Sequence, residues 1–303
     1  MNDKVNLWIV GSIGIDDIKT RDEDRKDLLG GSVTYCCAAA SFFARTGAVG
    51  VVGTDFPEEF MNRYRRFGID LAGLQRKEGS TFRWAGAYSD NMIDRTTLKT
   101  ELGVFGEFSP ELPESYRDAE FVLLGNIQPD LQLHVLGQAR NAKFVAMDTM
   151  NLWLDIARES LLKVIAKVQM ISLNDEEARL LTGLYHIRDC AEAILKMGPK
   201  YVAIKKGEHG SLLFSSEGVS IVPAYPVKAV TDPTGAGDTY AGAFMGYLAQ
   251  KGRSDMKTLR EALLYGSVMA SFGVESFSLE RLETLTSAEI EARLAELKAM
   301  IAF

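Results

Sequence analysis

Cysteine and histidine are scarce in this chain of 303 residues, which contains three of each. Two of the cysteines, Cys36 and Cys37, are neighbours, so the chain lacks the evenly spaced framework of a disulfide-rich secreted protein. The histidines are scattered, which argues against a histidine metal cluster and against a hydrolase triad. We therefore expect buried cysteines, surface histidines and a reducing, cytoplasmic environment.

Long apolar runs, a leader and an excess of positive charge are also missing. No segment approaches the roughly 18 consecutive apolar residues of a membrane-spanning helix, and the N-terminus lacks the basic head, apolar stretch and cleavage site of a signal peptide. The 34 Lys and Arg residues are outnumbered by 41 Asp and Glu, for a net charge of -7, and form no basic stripe. These features predict neither a nucleic-acid partner nor a membrane partner. An anionic ligand would be bound locally, by helix-start amides, a few cations or a metal.

Hydrophobic residues make up 47% of the chain, enough for a large core, and many of them fall in short runs. Six runs have the length of a buried strand: residues 7–10, 49–52, 121–124, 144–147, 170–173 and 201–204. Helical spacing follows several of them, at residues 131–140, 156–168 and 187–197. This alternation predicts an α/β fold with a doubly wound, mainly parallel sheet flanked by helices, and with ligands at the carboxyl ends of the strands.

Two pairs of β-prone segments predict hairpins. Residues 211–214 and 219–222 flank a Ser-Ser-Glu-Gly turn and predict a hairpin at one edge of the sheet. Residues 82–88 and 96–101 interrupt the alternation, so we expect a small β lid at about 81–102, inserted in a single domain that spans 1–303. The lid aromatics Phe82, Trp84 and Tyr88 would cover a ligand or pair with a second copy in a homodimer. An ordinary hairpin with one core face is the alternative.

The main candidate for chemistry is the segment Thr-Asp-Pro-Thr-Gly-Ala-Gly-Asp at residues 231–238, which leads into a helical pattern. Because Gly235 and Gly237 have no side chains, a phosphate can approach the free amides of the first helical turn, where the helix dipole is positive. The segment is not a P-loop, since no Gly-Lys-Ser/Thr closes it, and Tyr240 stands where a dinucleotide fingerprint needs its third glycine. The alternative is a tight turn followed by an acidic residue that favours the dipole.

This segment resembles the signature Asp-Thr-x-Gly-Ala-Gly-Asp of the PfkB carbohydrate kinases, the ribokinase-like family, with Pro233 where many members have Thr. The resemblance extends over nearly the whole chain and implies a ribokinase-like fold that phosphorylates an alcohol with ATP. It also implies that Asp238 is the general base, and that the amides of Gly235, Ala236 and Gly237 form an anion hole. A loose phosphoryl-transfer transition state needs this kind of positioning and charge stabilisation.

The resemblance also implies a substrate site. Gly30 and Gly31 are similar to a glycine pair at which the family binds substrate, and Tyr35 stands where members often have Asn. Tyr35 can form a hydrogen bond or stack on a ring. Asp16 matches an aspartate that grips substrate hydroxyls, because one carboxylate can bridge two vicinal oxygens. Asp16 favours a sugar or cyclitol, our first interpretation, whereas Tyr35, Phe82 and Trp84 favour a nucleoside, the alternative.

On the nucleotide side, Asn174 and Glu177 resemble the family's Asn-x-x-Glu motif, which implies that Glu177 contacts magnesium through water. A helix capping box would explain the same spacing without a metal. Lys205, Gly207 and Gly210 follow a predicted strand in a turn that resembles the family's Gly-x-x-Gly turn near the nucleotide.

Three more residues complete the implied ATP and ion sites. Gly273 lies in the region where relatives close over adenine, and Thr234 is assigned to the nucleotide. Asp232 and Thr234 match positions that bind a monovalent cation in some relatives, so potassium dependence is a hypothesis. The implied cofactors are ATP, Mg²⁺ and K⁺. A catalytically idle, ligand-binding member of the family is a further alternative, against which the intact Asp238 argues.

Overall fold

The computed structural model describes residues 4–302, which form two β-sheets and the helices around them. The strands are β1 (Leu7–Val10), β2 (Gly14–Lys19), β3 (Asp24–Gly30), β4 (Thr46–Gly53), β5 (Asp70–Lys77), β6 (Phe82–Tyr88), β7 (Arg95–Glu101), β8 (Phe121–Leu124), β9 (Phe144–Asp148), β10 (Met170–Asn174), β11 (Tyr201–Lys205), β12 (Ser211–Ser215) and β13 (Gly218–Val222).

The α-helices are α1 (Ser32–Ser41), α2 (Glu58–Arg66), α3 (Pro129–Leu136), α4 (Asn151–Ile156), α5 (Arg158–Ile165), α6 (Asp175–Thr182), α7 (Ile187–Leu195), α8 (Ala236–Lys251), α9 (Met256–Gly273), α10 (Glu280–Thr284) and α11 (Ser287–Met300). No helix in the described range is long and apolar enough to cross a membrane.

The larger sheet has nine strands in the order β13-β12-β11-β10-β9-β8-β1-β4-β5. It is parallel from β5 to β11, and the β12–β13 hairpin adds two antiparallel strands at one edge. Strand β4 shows why these strands read as continuous apolar runs: Ala48 and Val52 face one core, whereas Val49 and Val51 face the other. The predicted mainly parallel sheet with helices on both faces and the edge hairpin are confirmed.

Helices α1 and α8 pack in close contact on one face of this sheet. A Cβ atom on Gly242 of α8 would overlap the backbone of Cys36 in α1, and one turn later a Cβ on Gly246 would lie 2.8 Å from the Cα and carbonyl oxygen of Ala40. Two glycines in successive turns therefore allow the helix backbones to touch. This contact places the start of α8 beside α1 at the carboxyl edge of the sheet.

The smaller sheet has four strands in the order β3-β2-β6-β7, and we call it the lid. The hairpin expected at 81–102 is present as β6 and β7, but it is only half of the lid. The other half, β2 and β3, comes from residues 14–30, where polar and charged side chains gave no strand pattern in the sequence. Strand β2 pairs with β6 in parallel, far away along the chain, which a local pattern does not reveal.

The lid docks on the main body through a small apolar cluster. Ile18 and Leu28 pack around the buried ring of Phe277, which belongs to the loop between α9 and α10. The Arg25 guanidinium lies over the same ring, 5.0 Å from its centroid, and pairs with Glu280 at 2.7 Å. The lid and the loop that follows α9 are therefore joined by both apolar and ionic contacts.

Candidate active site

Asp238 lies in the first turn of α8, at the place where α8 meets α1 and the ends of β9 and β11. The residue as a whole is partly exposed, but its carboxyl group is surrounded by protein atoms. This loss of solvent raises the carboxyl pKa to about 7; Asp148 adds to the increase and Lys205 opposes it. The Cys36 thiol donates a long hydrogen bond of 3.8 Å to Asp238 Oδ1. Cys36 is buried, as expected, but its contact with Asp238 was not anticipated.

Lys205, at the end of β11, brings positive charge to the start of α8. Its Nζ pairs with Asp148 Oδ2 at 2.9 Å and lies 3.3 Å from where a Cβ on Gly237 would be. Burial alone would lower the pKa of Lys205, but Asp148 and Glu177 raise it above its ordinary value. A protonated ammonium group is thus held against the glycine-rich turn, where an incoming phosphate would meet it.

The glycine-rich turn supplies backbone donors. Gly235 has a φ of 75°, and a Cβ there would overlap the Tyr35 ring, so both backbone and packing require glycine. Among the described residues, no acceptor pairs with the amides of Gly235 and Gly237, whereas the Ala236 amide donates to the Pro233 carbonyl at 3.2 Å. Two of the three amides in the predicted anion hole are therefore free here, and the Ala236 amide is already used inside the turn.

Asp16 faces this turn from strand β2. It is 3% exposed, its Oδ1 has no hydrogen-bond partner, and a Cβ on Gly30 would overlap its carboxylate. Burial raises its pKa to about 8, and the nearby carboxylates of Asp232 and Asp17 add to the increase. Gly31, with a φ of 95°, then begins α1. The predicted substrate residues Asp16, Gly30 and Gly31 thus meet at one place.

Tyr35 completes this group from α1. Its ring packs against Gly235, its side chain is 3% exposed, and its hydroxyl has no hydrogen-bond partner. Burial raises its pKa well above the ordinary value, and the negative charges of Asp16 and Asp232 add most to that increase. A buried hydroxyl and a buried carboxylate oxygen without partners are unusual in proteins and indicate a place for a polar ligand.

Two charged residues near Asp238 were missed in the sequence. Asp148 ends strand β9, so the rule that ligand-binding residues follow parallel strands would have found it. Arg95 begins β7, lies over the Trp84 ring at 5.2 Å, and lowers the pKa of both Asp16 and Asp238. Nothing local marked Arg95, because its approach to the site depends on how the lid strands pair.

Asn174 and Glu177 form the capping box that the sequence offered as an alternative to a metal site. The Glu177 amide donates to Asn174 Oδ1 and the Asn174 amide donates to Glu177 Oε2, both at 2.7 Å. Burial raises the pKa of Glu177 to about 7, which Lys205 opposes. Within residues 4–302, no three acidic, cysteine or histidine side chains are grouped to hold a metal unaided. A magnesium ion held mainly by ATP phosphates and water, with Glu177 beyond the water, stays a prediction.

Asp232 is fully buried in the loop before α8. Its Oδ1 accepts a hydrogen bond from the Thr234 amide at 2.9 Å, whereas Oδ2 has no hydrogen-bond partner. Burial raises its pKa to about 6, which hydrogen bonds from Thr234 and from the Ser278 backbone oppose. The unpaired Oδ2 is compatible with a bound monovalent cation. The assignment of a cation to Asp232 stays a prediction.

The remaining nucleotide candidates lie at different depths. Gly207 and Gly210 bound a tight turn with φ of 53° and 86°, in which a Cβ on Gly207 would meet open space and one on Gly210 would overlap the end of β13. Gly273 ends α9 and packs against Thr239 of α8, so that a Cβ added at Gly273 would lie 3.4 Å from Thr239 Oγ1. Their contacts with a nucleotide stay predictions.

Comparisons with known proteins place the chain in a family. The chain matches the pfkB family carbohydrate kinase model over residues 12–284. It is 31% identical over 251 residues to a cytidine kinase of Thermococcus kodakarensis, covering 80% of this chain and 87% of the relative. It is 25% identical over 228 residues to a nucleoside kinase of Methanocaldococcus jannaschii, covering 74% and 72%.

Solved structures share the fold at low identity, and the predicted ribokinase-like fold is confirmed. A ribokinase from Giardia lamblia superimposes with a TM-score of 0.82 at 20% identity, covering 97% of this chain and 99% of that one. A Burkholderia thailandensis nucleoside kinase in complex with inosine gives a TM-score of 0.80 at 19% identity, with the same coverage. With the family model spanning most of the sequence, the chain belongs to the PfkB family of carbohydrate kinases.

Proposed function

We propose that this kinase transfers the γ-phosphoryl group of ATP to a hydroxyl of a ribonucleoside. The observation that carries phosphoryl transfer is the placement of Asp238 at a glycine-rich helix start, with Lys205 against Gly237. The acceptor class rests on the relatives: the 31% identical protein is a cytidine kinase. We therefore place the nucleoside, the alternative in the sequence analysis, ahead of the sugar or cyclitol that we had put first.

Asp238 is the proposed general base. As the acceptor oxygen attacks the γ-phosphorus, its proton passes to the Asp238 carboxylate, the bond from phosphorus to the ADP oxygen breaks, and ADP leaves. A base in this position contributes roughly 10² to 10⁴ in rate. Its pKa of about 7 suits the task, because the carboxylate is ionised in much of the enzyme near neutral pH and still binds a proton.

Charge on the transferred group is met by Lys205 and the free amides of Gly235 and Gly237. One donor of this kind, fixed before the reaction, contributes about 10² to 10³ in rate. Magnesium bound to the phosphates would supply further charge neutralisation. For the nucleotide, we keep the residues assigned from the resemblance: Asn174, Lys205, Gly207, Gly210, Thr234 and Gly273, with Glu177 toward magnesium.

Asp16 and Tyr35 are the proposed acceptor-binding residues. Asp16 Oδ1 and the Tyr35 hydroxyl are both buried at this place and both lack a hydrogen-bond partner. Vicinal ribose hydroxyls would satisfy the carboxylate, whereas a 2′-deoxyribonucleoside leaves part of it unpaired. A site that buries a polar group in this way discriminates strongly against the analogue that lacks the hydroxyl.

A monovalent cation at Asp232 is part of the proposal. Since Thr234 and Gly235 follow Asp232 closely in the chain, an ion on the free Oδ2 would order the loop that leads to the anion hole. We expect faster turnover in potassium than in sodium or choline at fixed MgATP, and Asp232→Asn should remove the difference. Equal rates in all three salts would remove the cation from the proposal.

The decisive experiment measures ADP release from MgATP with ribonucleosides, 2′-deoxyribonucleosides, pentoses, hexoses and cyclitols. Asp238→Asn is the control for contaminating kinases; it should keep MgATP affinity within a few-fold and lose most of its turnover, because the base acts in the transition state. Release with ribonucleosides that disappears in the control is the expected result. Release with free sugars alone would overturn the nucleoside assignment, and ligand binding without release would indicate an idle member.

A further inference from the structure

Tyr88, the last residue of lid strand β6, reaches out of the lid to the loop that leads to the anion hole. Its hydroxyl lies 3.0 Å from Thr234 Oγ1, a contact between residues 146 positions apart in sequence. Thr234 directly precedes Gly235, whose free amide is one of the two anion-hole donors. A lid side chain thus contacts the residue that directly precedes an amide of the proposed phosphoryl site.

The main body holds the same loop from the other side. The Thr234 amide donates to Asp232 Oδ1 at 2.9 Å, and the amides of Thr231 and Asp232 donate to the Val274 carbonyl at 2.8 and 3.3 Å. The backbone before Thr234 is therefore fixed by the body, while the Thr234 side chain is held by the lid. Gly235, the next residue, has the wide conformational freedom of glycine and needs such support.

The Tyr88 ring is anchored where the lid docks. It packs against the cluster of Ile18, Leu28 and Phe277 that joins lid and body. The position of its hydroxyl therefore depends on lid docking, and a lid that lifts from Phe277 would also withdraw the hydroxyl from Thr234. Lid closure and support of the loop are linked through one side chain.

We propose that Tyr88 is a positioning residue, whose hydrogen bond to Thr234 aligns the Gly235 amide for phosphoryl transfer only when the lid is closed. The inference rests on the proposed function and deepens it. An enzyme with an open lid would hold ATP beside a poorly ordered anion hole and would therefore hydrolyse little ATP. Closure over the acceptor completes the hole. Because the anion hole stabilises the transition state, loss of the Tyr88 hydrogen bond should lower kcat and leave acceptor KM unchanged.

The test is a double-mutant cycle of Tyr88→Phe and Thr234→Val, each of which removes one hydroxyl and keeps the side-chain volume. We expect each single variant to lower kcat by about tenfold, part of the effect of losing one anion-hole donor, with acceptor KM within twofold. The double variant should be no slower than Thr234→Val, because the hydrogen bond that Tyr88→Phe removes is already absent there; any further loss in Thr234→Val belongs to its own contact with Asp232. Tyr225→Phe is the matched control: its hydroxyl bonds Glu296 at 2.6 Å on the surface, and kcat should not change.

A second readout does not need turnover. Hydrogen exchange of the amides at residues 231–238 should be faster in Tyr88→Phe and Thr234→Val than in the wild type, and unchanged in Tyr225→Phe. Additive losses of kcat, a change in KM alone, or identical exchange would overturn the inference. If the wild type transfers no phosphate to any acceptor, the proposed function fails, and the exchange comparison still decides the role of Tyr88.

Discussion

At the scale of single residues, the site holds carboxyl groups that burial keeps partly protonated near neutral pH. Asp238 has a pKa of about 7 and Asp16 one of about 8, and in both the loss of solvent is the first cause. Their neighbours divide by sign: Asp148 and Asp232 raise these values, whereas Lys205 and Arg95 lower them. Residues tuned in this way are typical of functional sites, and each gives a pH dependence that can be measured.

The first prediction concerns the acid limb of kcat/KM for the acceptor. As the proposed base, Asp238 accepts a proton only when it is ionised, so kcat/KM should fall at least tenfold per pH unit below about pH 7. It should level off only above about pH 8, where Asp16, the proposed acceptor-binding carboxylate, is also ionised. Steady-state rates between pH 5 and 9 would show this, and the residual activity of Asp238→Asn should lack the contribution of Asp238 to the limb. A limb near pH 4 would mean that the base is not a buried carboxylate.

The second prediction concerns stability. Asp16 binds its proton more tightly in the folded state, with a pKa of about 8 against an ordinary value of 3.8. Between these values the folded state carries more protons than the unfolded state, so the free energy of unfolding falls as the pH rises through this window. Asp16→Asn should therefore raise Tm more at pH 9 than at pH 5, by about 2 to 4 °C for each kcal/mol recovered.

The control for that measurement is Asp90→Asn, an exposed position in the turn between β6 and β7. Its Tm should stay within a degree or so of the wild type at both pH values, since surface substitutions change stability little. A Tm difference for Asp16→Asn that is the same at pH 5 and pH 9 would show that the loss of its charge is not the cause.

At the scale of elements, the contact of α1 with α8 positions α8, which carries the proposed base Asp238. Gly242 lies against the Cys36 backbone and leaves no space for a side chain. The same region of α1 carries Tyr35, whose ring lies on Gly235, and the Cys36 thiol, which contacts Asp238. The distance between these two helices therefore decides how the base and the glycine-rich turn are supported.

The third prediction is that Gly242→Ala forces the helices apart. Overpacking of this kind costs about 1 to 3 kcal/mol, so Tm should fall by several degrees, and kcat should fall because Asp238 moves with α8. Gly137→Ala is the matched control, since Gly137 caps α3 with a φ of -62° and a Cβ there would lie 3.4 Å from its nearest neighbour. Thermal unfolding with equal Tm values for the two variants would contradict this account of the interface.

At the scale of the whole molecule, the protein is a large sheet with helices on both faces and a lid docked on it at Phe277. The loop after α9 touches both parts: Ser278 Oγ donates to the Leu29 carbonyl of the lid at 2.5 Å, and the Val274 carbonyl accepts from the loop before α8. Lid position and anion-hole loop thus share one support in the body.

The fourth prediction is that Phe277→Ala loosens the lid and leaves the body intact. Removing a buried aromatic ring costs about 3 to 5 kcal/mol, and most of that cost should fall on lid docking. Amides of β2, β3, β6 and β7 should exchange faster, those of the large sheet should not, and acceptor KM should rise about tenfold. Faster exchange throughout the protein would show that Phe277 supports the global core instead.

The parallel strands, the edge hairpin, the capping box at Asn174 and the glycine-rich helix start were all predictable from the sequence. Each is encoded by residues close together in the chain: a short apolar run, a turn, a cap, or glycines before a helix. The assignment of Asp16 and Gly30 to one substrate site was accessible through the family resemblance, and the two residues do lie in contact. These local patterns were sufficient for the fold class and for the position of Asp238.

Other features depended on residues far apart in sequence, and only the tertiary structure decided them. The parallel pairing of β2 with β6 makes the lid a sheet of four strands instead of two, and it brings Arg95 toward Asp16. The packing of α1 on α8 turned the Tyr35 ring onto Gly235, and sheet order joined Asp148 to Lys205. Local propensity carries no information about such partners, because their interaction energy exists only once the chain has brought them together.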